Sequence, residues 1–170
     1  VPRPEIKVAV VQNNAFSNYL QVIVSDTVSK TKFISLEIQN EDIDLDTIAA
    51  FTWAGDFNFS TAGNYSIDVL AIADVGDTVI TELLALAVAR EASRWFGRSV
   101  DGRFSVVGDP GSVSYDQSFI IVDSSLFADD FNDQASYVLG DEYFEFGKPI
   151  EVRFGSQRND LAIYKRKNGV

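Results

Sequence analysis

The sequence predicts an all-β protein, two tandem antiparallel β-sandwich modules, on three observations. Short runs rich in Val, Ile, Phe, Tyr and Thr recur about every ten residues with Gly, Asn and Asp between them, the spacing of strands in a sandwich. Within these runs apolar and polar residues alternate, which puts one strand face on a core. The 170 residues are 46% apolar and 23% charged, the composition of a chain that folds.

In the first half, strands are expected over residues 5–12, 19–25, 33–39, 48–53, 65–73 and 78–88. In 65–73 the set Tyr65, Ile67, Val69, Ala71 and Ala73 alternates with Ser66 and Asp68. Leu70 and Ile72 are apolar on the second face, so this strand is expected to be central and buried on both sides. Asp74-Val75-Gly76-Asp77 supplies a hairpin turn, with Gly76 free to take a positive φ. The next stretch, 78–96, is the most ambiguous, because Glu82 to Glu91 is made largely of good helix formers. Ile80, Leu84, Leu86 and Val88 nevertheless share one strand face, and a last antiparallel strand completes the first module, so strand is preferred to helix.

Texture changes after Glu91, and a second set of strands is expected over 102–107, 118–123, 135–139, 143–154 and 161–165. A boundary is therefore placed near Ala92, dividing residues 1–92 from 93–170. The first part carries 5 basic and 13 acidic side chains and the second 9 and 12, a charge asymmetry that supports two units. Neither half repeats the other.

Composition also excludes functions. With no His and no Cys there is no thiolate nucleophile, disulfide, imidazole acid/base pair, or His or Cys metal ligand. A net charge of −11 repels nucleic acid and anionic membranes, so neither is an expected partner. No apolar run reaches the roughly 18 residues of a membrane span, and Val1-Pro2-Arg3-Pro4 has no signal-peptide core. The lack of any Met leads to the expectation that the chain was processed or excised from a longer one.

Gly63-Asn64-Tyr65-Ser66-Ile67-Asp68-Val69, followed by Ala73-Asp74-Val75-Gly76-Asp77 and an apolar strand, resembles the closing hairpin of bacterial Ig-like and fibronectin type III-like modules. Further on come Ser99-Val100-Asp101-Gly102-Arg103-Phe104-Ser105-Val106, Pro110-Gly111-Ser112-Val113, Tyr137-Val138-Leu139-Gly140, Phe146-Gly147-Lys148-Pro149-Ile150-Glu151-Val152 and Leu161-Ala162-Ile163-Tyr164. That succession is similar to the ZU5-like β modules of secreted and surface proteins. The resemblance implies a non-catalytic extracellular module attached in bacteria to a large secreted enzyme or adhesin. Relatives that cleave themselves use a His-x-Ser or His-x-Thr step, which a chain without His does not have.

Asp42, Asp44 and Asp46 alternate with Ile43 and Leu45, so an extended backbone puts three carboxylates on one side, a candidate Ca²⁺ site set against a solvated strand edge whose charges discourage pairing. No EF-hand loop is present. Asp129, Asp130 and Asp133 with Asn132 form a second acidic group in an expected loop. Trp53, with Phe51, Phe57 and Phe59, and Trp95, with Phe96, are candidates for a sugar-stacking platform, core packing being the competing reading. Trp95 is the one expected to be exposed. Asn58-Phe59-Ser60 and Asn64-Tyr65-Ser66 fit the glycosylation pattern, and Lys165-Arg166-Lys167 reads as a solvated strand end. No Gly-x-Ser-x-Gly, phosphate loop or dinucleotide fingerprint occurs.

The expectation is a non-catalytic spacer or accessory pair of a larger secreted or cell-surface bacterial protein, without a cofactor. Its partners would be the other domains of its parent chain. The alternative is a module that binds a polysaccharide or a surface protein.

Overall fold

The computed structural model describes residues 2–12, 19–59, 61–123, 137–139 and 145–155. Among the described residues there is no helix. The strands are β1 (Ile6–Gln12), β2 (Tyr19–Asp26), β3 (Phe33–Ile38), β4 (Glu41–Ile43), β5 (Leu45–Ala49), β6 (Thr52–Asn58) and β7 (Gly63–Ile72), followed by β8 (Thr78–Ala89), β9 (Trp95–Arg98), β10 (Phe104–Gly108), β11 (Gln117–Asp123), β12 (Tyr137–Leu139) and β13 (Glu151–Phe154). They build three antiparallel sheets, ordered β1-β2-β6-β5, β12-β11-β8-β7-β3-β4 and β13-β10-β9.

Alternation builds the first core, as the sequence leads one to expect. Val8, Val10, Leu20, Val22 and Val24 of the four-stranded sheet meet Leu36, Ile38, Ile67, Val69, Leu84 and Leu86 of the six-stranded one. Each aliphatic side chain so buried contributes roughly 1.5–3 kcal/mol. Tyr65 braces a corner at one end: its hydroxyl donates to the Thr61 carbonyl at 3.0 Å, and its ring lies 5.8 Å from Phe57 and 6.3 Å from Phe59.

Two hairpins depart from the expected strands. Gln39 and Asn40 both sit at positive φ, 54° and 63°, and turn β3 into the short β4. The chain then crosses at Asp44 to β5, so one continuous segment lies along an edge of each sheet of the first sandwich. The expected strand over 48–53 contains a turn instead, with Ala49 paired to Thr52 and Phe51 at φ 53°. No Gly or Asn marks that turn in the sequence. Gly76, by contrast, takes φ +120° where a turn was expected.

The stretch 78–96 resolves as strand over β8, and the reason for its uniform composition lies in its packing. Leu84 and Leu86 point into the first core, whereas Ala85, Ala87 and Ala89 point into a second core on the opposite face. Neighbouring β11 divides in the same way, Ile120 and Val122 to one side and Phe119 and Ile121 to the other. A sheet covered on both faces needs apolar residues at every position. It is therefore the second half of β8, from Leu84 to Ala89, together with β11, and not β7, that is buried on both sides. Leu70 of β7 is half-buried and Ile72 is exposed.

The β13-β10-β9 sheet closes the second core, with Trp95, Phe104 and Val106 inward and Phe146, Val152 and Phe154 packed around them. A Cβ on Gly97 would stand 2.6 Å from the Ala87 Cβ, so glycine here is what lets β9 approach β8. The boundary expected near Ala92 falls between β8 and β9, while the six-stranded sheet takes β8 from before that point and β11 from after it. Of the expected strand over 143–154, residues 143–144 lie outside the described residues, 145–150 are irregular and 151–154 form β13. The strand expected over 161–165 lies outside the described residues.

Two polar devices fasten the sheets. The buried Gln12 amide donates to the Ser118 carbonyl at 2.5 Å and accepts from the Ile120 N–H at 2.9 Å, standing in for a strand partner of β11. The Asp26 carboxylate accepts the N–H groups of Glu5, Val28, Lys30 and Thr31 and the Thr31 hydroxyl, at 2.7–3.1 Å. Burial alone would raise the Asp26 pKa, but the bonds from Lys30, Thr31 and Val28 outweigh it and hold it at about 2.

Candidate functional site

The three carboxylates considered for calcium lie along the crossing segment. Asp42 is on β4 at the edge of the six-stranded sheet, Asp44 is in the crossing, and Asp46 is on β5 at the edge of the four-stranded sheet. Ile43 and Leu45 pack against the first core, and all three Asp are exposed. Among the described residues no three acidic side chains are grouped closely enough to hold a metal ion. Asp129, Asp130, Asn132 and Asp133 lie outside the described residues, as do Lys165, Arg166 and Lys167.

Of the aromatic candidates, Trp95 is a core residue and not the exposed one expected. It is 4% exposed, its indole N–H donates to Ser112 Oγ at 2.9 Å, and it stacks on Phe146 at 6.3 Å. The reason is its place on β9, where residues 95 and 97 face the alanines of β8 while Phe96 points outward and is 56% exposed. Trp53 is half-buried on β6, between Val24 and Thr47 in the ladder. Phe57 and Phe59 are buried, and Phe51 sits at the exposed tip of the β5–β6 hairpin. These aromatics form no common platform. Asn58 and Asn64 are exposed.

Among the described residues beyond β8, the β9–β10 turn gathers a dense polar group. Ser99 Oγ donates to Asp101 Oδ1 at 2.6 Å and accepts the Phe104 N–H at 3.0 Å, while the Arg103 N–H reaches Asp101 at 3.0 Å. The Tyr137 hydroxyl of β12 donates to the other Asp101 oxygen. Burial opposes the Asp101 charge, but the bonds from Ser99 and Tyr137 prevail and lower its pKa. Burial and the bond to Asp101 push the Tyr137 phenol up to about 12. A carboxylate held ionised against a phenol held protonated does not exchange protons near neutrality, so the pair braces β12 against the turn. Beside it a shallow recess of about 340 Å³ is lined by Asn64 and the segment Arg98 to Gly102.

Beside that recess lies a feature that sequence reasoning missed, the outer face of β4, β3, β7 and β8, which no strand among the described residues covers. Phe33, Ile72, Val79 and Leu83 stand on it as exposed apolar side chains, and Leu70 lies between them half-buried. The signal was present in Leu70 and Ile72, apolar on the second face of their strand, but double burial was inferred from it.

The chain matches no protein-family model, no curated protein and no solved structure.

Proposed function

We propose that the chain is a non-catalytic structural module of a larger secreted or cell-surface bacterial protein, with an Ig-like or fibronectin type III-like first unit and a ZU5-like second unit. The order β1-β2-β6-β5 facing β4-β3-β7-β8 supports the first assignment, since it follows the A-B-E-D and C′-C-F-G strands of Ig sandwiches. The Tyr65 hydroxyl, bonded back to the Thr61 carbonyl near the start of β7, supports it as well, since Ig sandwiches use a tyrosine in this way at a strand corner. The reading rests above all on one observation: β8 and β11 serve both cores at once. Two units that share strands cannot swing about a linker, and a spacer that keeps a fixed angle between its neighbours is what such an arrangement provides. A calcium site on Asp42, Asp44 and Asp46 forms no part of this reading, those residues being spread over the edges of two sheets.

Single-molecule stretching between marker domains tests it. One rupture releasing both cores together is expected, and two ruptures of separate contour length would overturn the shared-element reading. The gene on either side supplies the cheaper check: a flanking protease or glycosidase domain is expected, whereas a mature protein of these residues alone would count heavily against it. Of the alternatives, protein binding gains from the open face of β4, β3, β7 and β8. Polysaccharide binding loses the Trp95 ring, which is buried.

A further inference from the structure

We propose that the outer face of β4, β3, β7 and β8 docks a basic, apolar-bearing extended segment of another protein. The strand register sets the face out in rows. Phe33 lies opposite Ile72; Ser35, Leu70 and Val79 form the next row; Asp42, Glu37, Asp68 and Thr81 the one after; then Ser66 lies opposite Leu83. Phe33, Val79 and Leu83 are 56%, 68% and 51% exposed. A row of carboxylates therefore runs through an exposed apolar surface.

That row is unbalanced. Like charges directly opposite in a sheet destabilise it, and here Glu37 faces Asp42 on one side and Asp68 on the other. Among the described residues no ion pair reaches any of the three, and the hydrogen bond made to the row comes from the Thr81 hydroxyl to Asp68 at 2.6 Å. The face also continues a surface that is already an interface within the chain. On the same side of β8, Ala85, Ala87 and Ala89 lie in the second core beneath β9 and β10, whereas Val79 and Leu83 have no such cover. The turn from Arg98 to Gly102 bounds the face beside Asn64.

Charge decides the occupant. A second copy would bring acid against acid in a chain of net charge −11, and nucleic acid or an anionic bilayer carries the same sign. A polysaccharide needs ring faces to stack on, and among the described residues this face offers Phe33 alone. An extended segment with alternating apolar and Lys or Arg side chains meets both the aliphatic rows and the acidic one. This surface goes beyond the structural role proposed above and stands whether or not that role holds.

Fluorescence anisotropy of the full chain with a short labelled peptide of alternating valine and lysine, near physiological ionic strength, tests the proposal. Saturable binding is expected, with serine–lysine and valine–glutamate peptides at least about tenfold weaker. Glu37→Gln with Asp68→Asn, and separately Val79→Ser with Leu83→Ser, should each weaken it about tenfold, while Asp56→Asn with Glu91→Gln, an equal charge change elsewhere, should leave it unchanged. All these side chains lie at or near the surface, and thermal melts confirm that each variant folds. An equal loss in the Asp56/Glu91 pair would reduce the effect to general charge attraction. Binding indifferent to the Val79/Leu83 pair would remove the face from the contact. A dimer in sedimentation that this pair dissolves would give the face to a second copy. Binding that emerges only when Lys165, Arg166 and Lys167 are changed to Ala would give it to the chain's own tail. Each of these results overturns the proposal.

Discussion

The two cores are built from different stock, although they share strands. The first is mostly aliphatic and interleaves Val, Leu and Ile from two sheets, with Phe57, Phe59 and Tyr65 gathered at one end. The second sets Ala85, Ala87 and Ala89 against aromatic rings, with Trp95 5.8 Å from Phe119 and Phe104 5.3–5.4 Å from Phe154 and Tyr137. Small residues on one wall make room for large rings on the other. A single strand, β8, serves both requirements by carrying leucine or valine on even positions and alanine on odd ones from Leu84 to Ala89. Difference in composition thus does not imply independence in folding.

The sharpest way to break that statement is to cut a large side chain from each core. Trp95→Ala should cost ~3–5 kcal/mol and Leu84→Ala ~2–5 kcal/mol. Because β8 and β11 join the cores, calorimetry should show either substitution moving one common transition. A separate low-temperature transition in Trp95→Ala, with the first core unmoved, would show that the cores unfold apart.

A smaller effect distinguishes them by pH. Asp26 fastens the loop end of the first core with a folded pKa of about 2, below its ordinary 3.8. A carboxyl depressed on folding stabilises in full above its unfolded pKa and loses that stabilisation as pH falls through the folded one. Some 2 kcal/mol should therefore disappear between about pH 4 and pH 2. Asp101 in the second unit, lowered by Ser99 and Tyr137 against burial, acts in the same direction. Asp26→Asn should lower the melting temperature at neutral pH and flatten its acid slope, and a slope unchanged by the substitution would remove Asp26 as its source.

The smallest effect is a gain. Gln117 Nε2, on the face of β11 that meets the second core, is buried without a hydrogen-bond partner among the described residues. Gln117→Met removes the orphan donor at similar volume and should stabilise by ~1 kcal/mol in denaturant unfolding. A loss of that size would instead mean that the amide is satisfied by bound water.

Legibility followed the physics of each element. Strands with one wet face, such as 5–12 and 19–25, carry their alternation in plain view, and the turn at Gly76 announces itself by residue type. The hairpins at Gln39-Asn40 and Ala50-Phe51 were hidden because Gln39 and Phe51 sit at positive φ, where sequence rules look for glycine. Trp95 was misplaced because exposure depends on what lies opposite β9, and the alanines of β8 give no local hint that they form a wall. The open face was read as buried for the converse reason. Leu70 and Ile72 look like core residues until the third sheet is seen to end beside β8 and leave β7 and β3 uncovered.

Residue type and a period of two were enough for the all-β class, most strands of the first sandwich, the strand character of 78–89 and the exclusion of imidazole and thiolate chemistry. Each of these depends on residue type or on a period of two, which are local properties. That β11 joins β8 across residue 92, that one sheet serves two cores, and which apolar face stays open depend on contacts between segments distant in the chain. An apolar strand records that both its faces avoid water, but not which sheets cover them, because hydrophobic burial is non-directional and its partners lie far away in the chain.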